Sequence, residues 1–168
     1  MKKNIFAKLM MLVMMTAVCI TFTACGDGDD DGGSTTGSSE YVAPCLNFGS
    51  SVAHVKEYMS GSVWQLSDQS NDVILMYFNE KTSTVINYMF TNGLHMVTVA
   101  YVGYSDGKAN GFKSEIEKRY GVTMTRENDT SDVNQYVYSC TATINQKKVK
   151  VLIHCYKYGI SIIYELSD

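Results

Sequence analysis

The chain has 168 residues, with 14 lysines and arginines against 17 aspartates and glutamates. Much of that charge sits near the start, in Lys2, Lys3 and Lys8 and then in Asp27, Asp29, Asp30, Asp31 and Glu40. The remainder is nearly balanced and sized for one domain, and it lacks the clustered basic patch that a nucleic-acid partner requires.

Residues 1–24 have the three parts of a secretory signal. The lysines form a positive start, an apolar stretch runs from Leu9 to Phe22, and the small residues Thr23-Ala24 stand directly before Cys25. Thr16 and Thr21 interrupt the apolar stretch, which is shorter than the roughly 20 residues a spanning helix needs. The expectation is therefore a cleaved signal peptide. Thr23-Ala24-Cys25 resembles the lipobox of bacterial lipoproteins, which implies a thioether-linked diacylglycerol on Cys25 and a fatty acyl chain, such as palmitate, on its freed amine. Two or more chains anchor a protein stably, whereas one gives only marginal membrane binding.

Residues 25–40 read as that lipidated cysteine and a flexible acidic tether, because a run of Gly, Ser, Thr and Asp cannot bury enough apolar surface to fold. The aspartates just after Cys25 resemble the export signal of Bacteroidetes-type surface lipoproteins. That likeness implies a protein lipid-anchored to the outer membrane and exposed at the cell surface, the periplasmic face being the other possibility.

Residues 41–168 are expected to form a single α+β domain, since Tyr, Val, Ile and Thr abound and Pro44 is the one proline. In chain order, Ser50 or Ser51 caps a short helix with Val52, Val55 and Met59 at helical spacing, and Gly61 marks its stop. Strand-like runs follow at Val63 to Leu66, Val73 to Phe78 and Val85 to Phe90. Asn92-Gly93 is a hairpin signal, and a long strand runs from Leu94 to Tyr104 before Ser105-Asp106-Gly107 breaks the pattern. The second half has Phe112, Ile116 and Tyr120 on one face of a charged helix, with Gly121 as its stop. A short strand from Val122 to Thr125 and a polar loop from Asn128 to Asp132 come next. Strands Tyr136 to Ile144, Val149 to Tyr156 and Ile160 to Leu166 complete the chain.

A helix, a glycine stop and four strands thus occur twice, over about 46–104 and 108–168. This order, with the opener Leu46-Asn47-Phe48-Gly49-Ser50-Ser51-Val52, resembles the tandem units of the beta-lactamase inhibitor protein and the half-units of SmpA/OmlA-type lipoproteins. The resemblance implies two tandem α-ββββ units forming one antiparallel sheet, both helices on one face and the other face open to a partner.

With Asn145 to Lys148 as a loop, Cys140 is expected opposite Ile153, and Tyr138 opposite Cys155. One face then carries Tyr138, Cys140, Ala142, Ile144, Val149, Val151, Ile153 and Cys155, together with Ile160, Ile162, Tyr164 and Leu166. That face reads as core. The other is mixed and includes Leu152, His154, Tyr156 and Ile163, the candidate binding residues. Trp64 joins them as a stacking platform for sugar.

Catalytic apparatus is not expected. His54, His95 and His154 are scattered, no zinc-ligand spacing occurs, and no nucleophile elbow, phosphate loop or dinucleotide fingerprint is present. His154 and Cys155 are strand neighbours facing opposite ways, so they cannot form a nucleophile pair. As diagonal neighbours, Cys140 and Cys155 stand too far apart for a disulfide, while a bridge from Cys45 stays open. Neither metal nor cofactor is expected. The reading is a non-catalytic module at the cell envelope that binds protein, or alternatively a glycan-capturing surface lipoprotein.

Overall fold

Among the described residues, two helices form where side chains satisfy their free ends. Helix α1 (Val52–Met59) starts at Ser51, whose hydroxyl accepts from the His54 amide, and buries Val55 and Met59 one turn apart. Helix α2 (Asp106–Tyr120) starts at Ser105, which accepts from the Lys108 amide, and buries Ala109, Phe112 and Ile116. It begins at the Ser105-Asp106-Gly107 segment expected only to break the strand pattern, because Ser105 acts as its cap and Asp106 sits in the first turn, where the helix dipole favours an acid. Gly121 ends it at φ 64°, a left-handed conformation suited to glycine.

The computed structural model describes residues 40–127 and 134–167, which belong to one compact unit. The signal peptide, Cys25, the acidic tether as far as Ser39 and the Asn128 to Asp132 loop lie outside the described residues. The fold is α+β. Its strands are β1 (Gln65–Leu66), β2 (Ile74–Asn79), β3 (Thr84–Phe90), β4 (Leu94–Val102), β5 (Thr125–Glu127), β6 (Asn134–Ile144), β7 (Lys147–Tyr156) and β8 (Gly159–Leu166). Among the described residues they make one antiparallel sheet in the order β1-β2-β3-β4-β8-β7-β6-β5. Short β1 and β5 occupy its two edges.

One face of the sheet is the core. Leu75, Ile86, Tyr88, Val97, Val99, Val149, Val151, Ile153, Cys155, Ile162 and Tyr164 are all essentially inaccessible there. Both helices lie against it: the Tyr88 hydroxyl donates to Met59 Sδ at 3.3 Å, and the Phe112 ring stands 4.4 Å from that of Tyr101. The entry segment, residues 41–48, is pinned to the same side by tyrosines from three strands. The Val42 amide donates to Tyr101 at 2.9 Å, the Cys45 amide donates to Tyr88 at 3.1 Å, and the Tyr41 and Tyr164 hydroxyls meet at 2.8 Å. Gly93 permits the close pass at Gly49, since a Cβ there would lie 2.6 Å from the Gly49 carbonyl oxygen.

The register of β6 on β7 differs from the expectation by two residues. Cys140 faces Val151, and Tyr138 faces Ile153. The reason is the turn: Ile144 pairs with Lys147, and only Asn145 and Gln146, both at positive φ (49° and 66°), lie between them. Such a two-residue turn matches the twist of the strands it joins. A two-residue shift preserves every side-chain face, so the core face is the expected one. It separates Cys140 from Cys155 by four ladder positions, about 13 Å at the usual rise per residue. The two cysteines are thus farther apart than diagonal neighbours, and both are free thiols, as is Cys45.

Candidate functional site

The face opposite the helices is built row by row from strand registers. One row runs Met76, Asn87, Thr98, Ile163, Leu152, Ser139 and Thr125, each residue opposite the next on the neighbouring strand. The flanking rows carry Phe78, Val85, Ala100, Ser161 and His154 on one side, and Ile74, Met89, Met96, Glu165 and Lys150 on the other. The face therefore changes character across the sheet. From β2 to β4 it is largely apolar, interrupted by Asn87 and Thr98, and the apolar tract continues through Ile163 and Leu152, while from Ser161 and Glu165 towards β5 the face becomes hydroxylic and charged. There a cavity of about 430 Å³ is lined by Thr125, Glu127, Ser139, Cys140, Thr141 and Lys150.

Four of the five candidate binding residues share this face. Leu152 is half-buried between Ser139 and Ile163. His154 and Tyr156, two residues apart on β7, stack with ring centroids 6.0 Å apart and planes at 15°. Ile163 is on the expected face yet only 5% exposed, so it belongs to the floor of the tract. Its neighbours cover it, because it occupies an inner strand with Thr98 and Leu152 on either side. Trp64 stands apart. It precedes edge strand β1, four strands from β8, and packs half-buried against the core cluster. The β2–β4 half of the tract has no counterpart in the sequence reading, which paired only the second half of the chain. The alternation of Ile74, Met76 and Phe78 with buried Leu75 and Tyr77 is the signal that could have found it.

The three described thiols, Cys45, Cys140 and Cys155, are buried or half-buried, which disfavours the thiolate. Cys155 is fully buried on the core face, away from His154, and burial pushes its thiol up to about 11. Burial likewise raises Cys45 and Cys140. Cys45 and His54 line one cavity of about 440 Å³ with Asn47, Tyr58 and Asn145. There, however, the His54 Nε2 lies 3.3 Å from the Asn47 amide nitrogen, and a protonated, buried Cys45 thiol is a poor nucleophile. Asp106 accepts from both Tyr104 and Tyr136, and these bonds hold its carboxyl below the ordinary range. That cluster ties the start of α2 to β6. Among the described residues, no three His, Cys, Asp or Glu side chains converge as metal ligands, and no helix is long and apolar enough to cross a membrane. No protein-family model, curated protein or solved structure matches the chain.

Proposed function

We propose that this chain is an exported lipoprotein, cleaved after Ala24, lipidated on Cys25 and tethered through residues 26–40 to the outer membrane at the cell surface. Its domain, residues 41–168, is a non-catalytic module that docks a protein partner on the open sheet face. The carrying observation is the apolar tract on a face that neither helix covers. Contiguous apolar surface rimmed by polar groups marks interaction sites, and methionines suit a surface that adapts to its partner. Leu152, His154 and Tyr156 lie at the border between the apolar and polar halves, where a partner gains both kinds of contact. The glycan-capture reading has less support, because Trp64 is packed against the core.

We further propose that the domain consists of two tandem α-ββββ units. The order of elements, α1 then β1 to β4 and α2 then β5 to β8, supports this, as does the sheet order, in which the two quartets meet at β4 and β8.

In-cell photocrosslinking tests the docking reading. A photoreactive phenylalanine analogue at Leu152 or Met96 is expected to give a discrete protein adduct, and the same group at exposed Val63 or at exposed Tyr58 on helix α1, off the tract, is not. Equal adducts from all four positions would overturn the reading. The anchor is tested by fatty-acid labelling, which Cys25→Ser is expected to abolish; labelling of the variant equal to the parent contradicts it.

A further inference from the structure

We infer that the end of the domain beside its N-terminal entry rests on the lipid bilayer, with Tyr158 and Val102 set among the lipid headgroups. The inference rests on the proposed lipid anchor at Cys25 and not on the docking reading. Val102 is the last residue of β4 and pairs with Gly159, the first of β8. The Gly103 amide donates to the Tyr158 carbonyl at 3.0 Å, so Val102 and Tyr158 belong to neighbouring segments at one end of the sheet. Both are left in water: Val102 is 65% exposed and Tyr158 76%. Tyr158 occupies the turn between β7 and β8, a place where small polar residues are usual, and Val102 is the one residue of β4 that is exposed.

The place where the chain enters selects lipid as the occupant. Scattered exposed apolar side chains are ordinary on a protein surface, but these two adjoin the root of the proposed tether. The Lys108 ammonium bonds to the Glu40 carboxylate at 2.5 Å and to the Val102 carbonyl at 3.4 Å, which fixes residue 40 beside Val102. Only residues 26–39, all Gly, Asp, Ser or Thr, separate Glu40 from Cys25, and a chain of that length and composition spans about 20 Å on average. An anchored Cys25 therefore keeps the bilayer within reach of this end, and a contact too weak to hold a free protein suffices when the partners are linked. The side chains suit such a surface. Tyrosine sets an apolar ring and a polar hydroxyl at the boundary of hydrocarbon and water. The Lys157 ammonium, 5.1 Å from the centre of the Tyr158 ring, can extend to phosphate while its stem stays among the lipid. Lys81, Lys108 and Lys157 at this end are matched by Glu40, Glu80 and Asp106, so insertion, and not attraction to anionic lipid, makes the contact.

Fluorescence quenching by brominated phosphatidylcholine tests it. The chain is isolated from membranes and reconstituted in vesicles of that neutral lipid, with bromine near the headgroup end of the acyl chains, and its Cys25 peptide is weighed by mass spectrometry. Tyr158→Trp and Val102→Trp each add one fluorophore to Trp64, whose own quenching in the parent chain is the baseline. Tyr58→Trp is the control, because Tyr58 is also exposed but lines the cavity beside Asn145, in the β6–β7 turn at the opposite end of the sheet. The added fluorophore at 158 or 102 is expected to be quenched at least about twofold, and that at 58 no more than the baseline. Lipid on Cys25 with no added quenching at 158 and 102 would overturn the inference and leave the anchor standing, as would equal quenching at all three positions. A Cys25 without lipid would overturn the anchor, and the inference with it. Circular dichroism checks each variant, and if Val102→Trp does not fold, Tyr158→Trp decides alone. A photoreactive analogue at Tyr158 that captures a protein in cells, without quenching in vesicles, would assign this end to a protein partner and overturn the inference.

Discussion

Replacing Tyr88 by Phe removes one oxygen atom from the centre of the domain and tests how the entry segment is held. Tyr88 is 0% exposed, and its hydroxyl takes the Cys45 amide proton while donating to Met59 Sδ. Phenylalanine keeps the ring but leaves the Cys45 amide in the core without an acceptor. An orphaned buried donor costs about 1–3 kcal/mol, and for a domain of this size each kcal/mol lowers Tm by roughly 3–6 °C. Tyr77→Phe is the control. Tyr77 is nearly as buried, its ring stands edge-on to Tyr88 at 6.0 Å, and among the described residues its hydroxyl bonds to no protein group. Its loss is expected to stay within about 0.5 kcal/mol. Urea unfolding followed through Trp64, the single tryptophan, measures both. Equal costs for the two variants would refute the claim that tyrosine hydroxyls pin residues 41–48 to the sheet.

Three further outcomes are expected. Ile153→Ala should cost about 2–5 kcal/mol by opening a core cavity, while Leu152→Ala, next to it on the half-buried face, should cost about 1 kcal/mol; chemical denaturation separates them. Gln146→Gly should stabilise the domain by up to about 1 kcal/mol, because Gln146 adopts φ 66° where glycine is unstrained, and a matched Tm comparison reads the gain. Bonds from Lys113 and the Met124 amide hold the Glu117 carboxyl below its ordinary range. The stability that Glu117 contributes is therefore present above the unfolded carboxylate range and lost as pH falls through its lower folded value. Glu117→Gln should flatten that acid limb in a Tm series from neutral pH downward.

The faces of the second-half strands were legible because side-chain alternation has a period of two, which survives a register error of two. The register itself was not, since Asn145-Gln146 makes a two-residue turn without glycine, and four residues served as well on pattern alone. Ser105-Asp106-Gly107 reads as a turn or as a helix start, and the choice depends on Ala109 and Phe112 finding the core. Tyrosine gave no sign of its role, because an amphipathic ring suits a core, an edge or an interface. Only the fold shows that Tyr88 and Tyr101 point inward, that they and Tyr164, expected on the core face, bond the entry segment, and that Ile163 sits beneath its neighbours on the open face.

The central claim is that the open sheet face docks a partner and is not part of what holds the domain together. Tyr156→Ala and Leu152→Glu, assayed side by side for photocrosslinked adduct from Met96 and for Tm, test it most directly. The adduct is expected to be lost from both variants while Tm falls by no more than a few degrees. Undiminished adduct formation, or a collapse of Tm comparable to that of Ile153→Ala, would contradict it and assign the face to the interior.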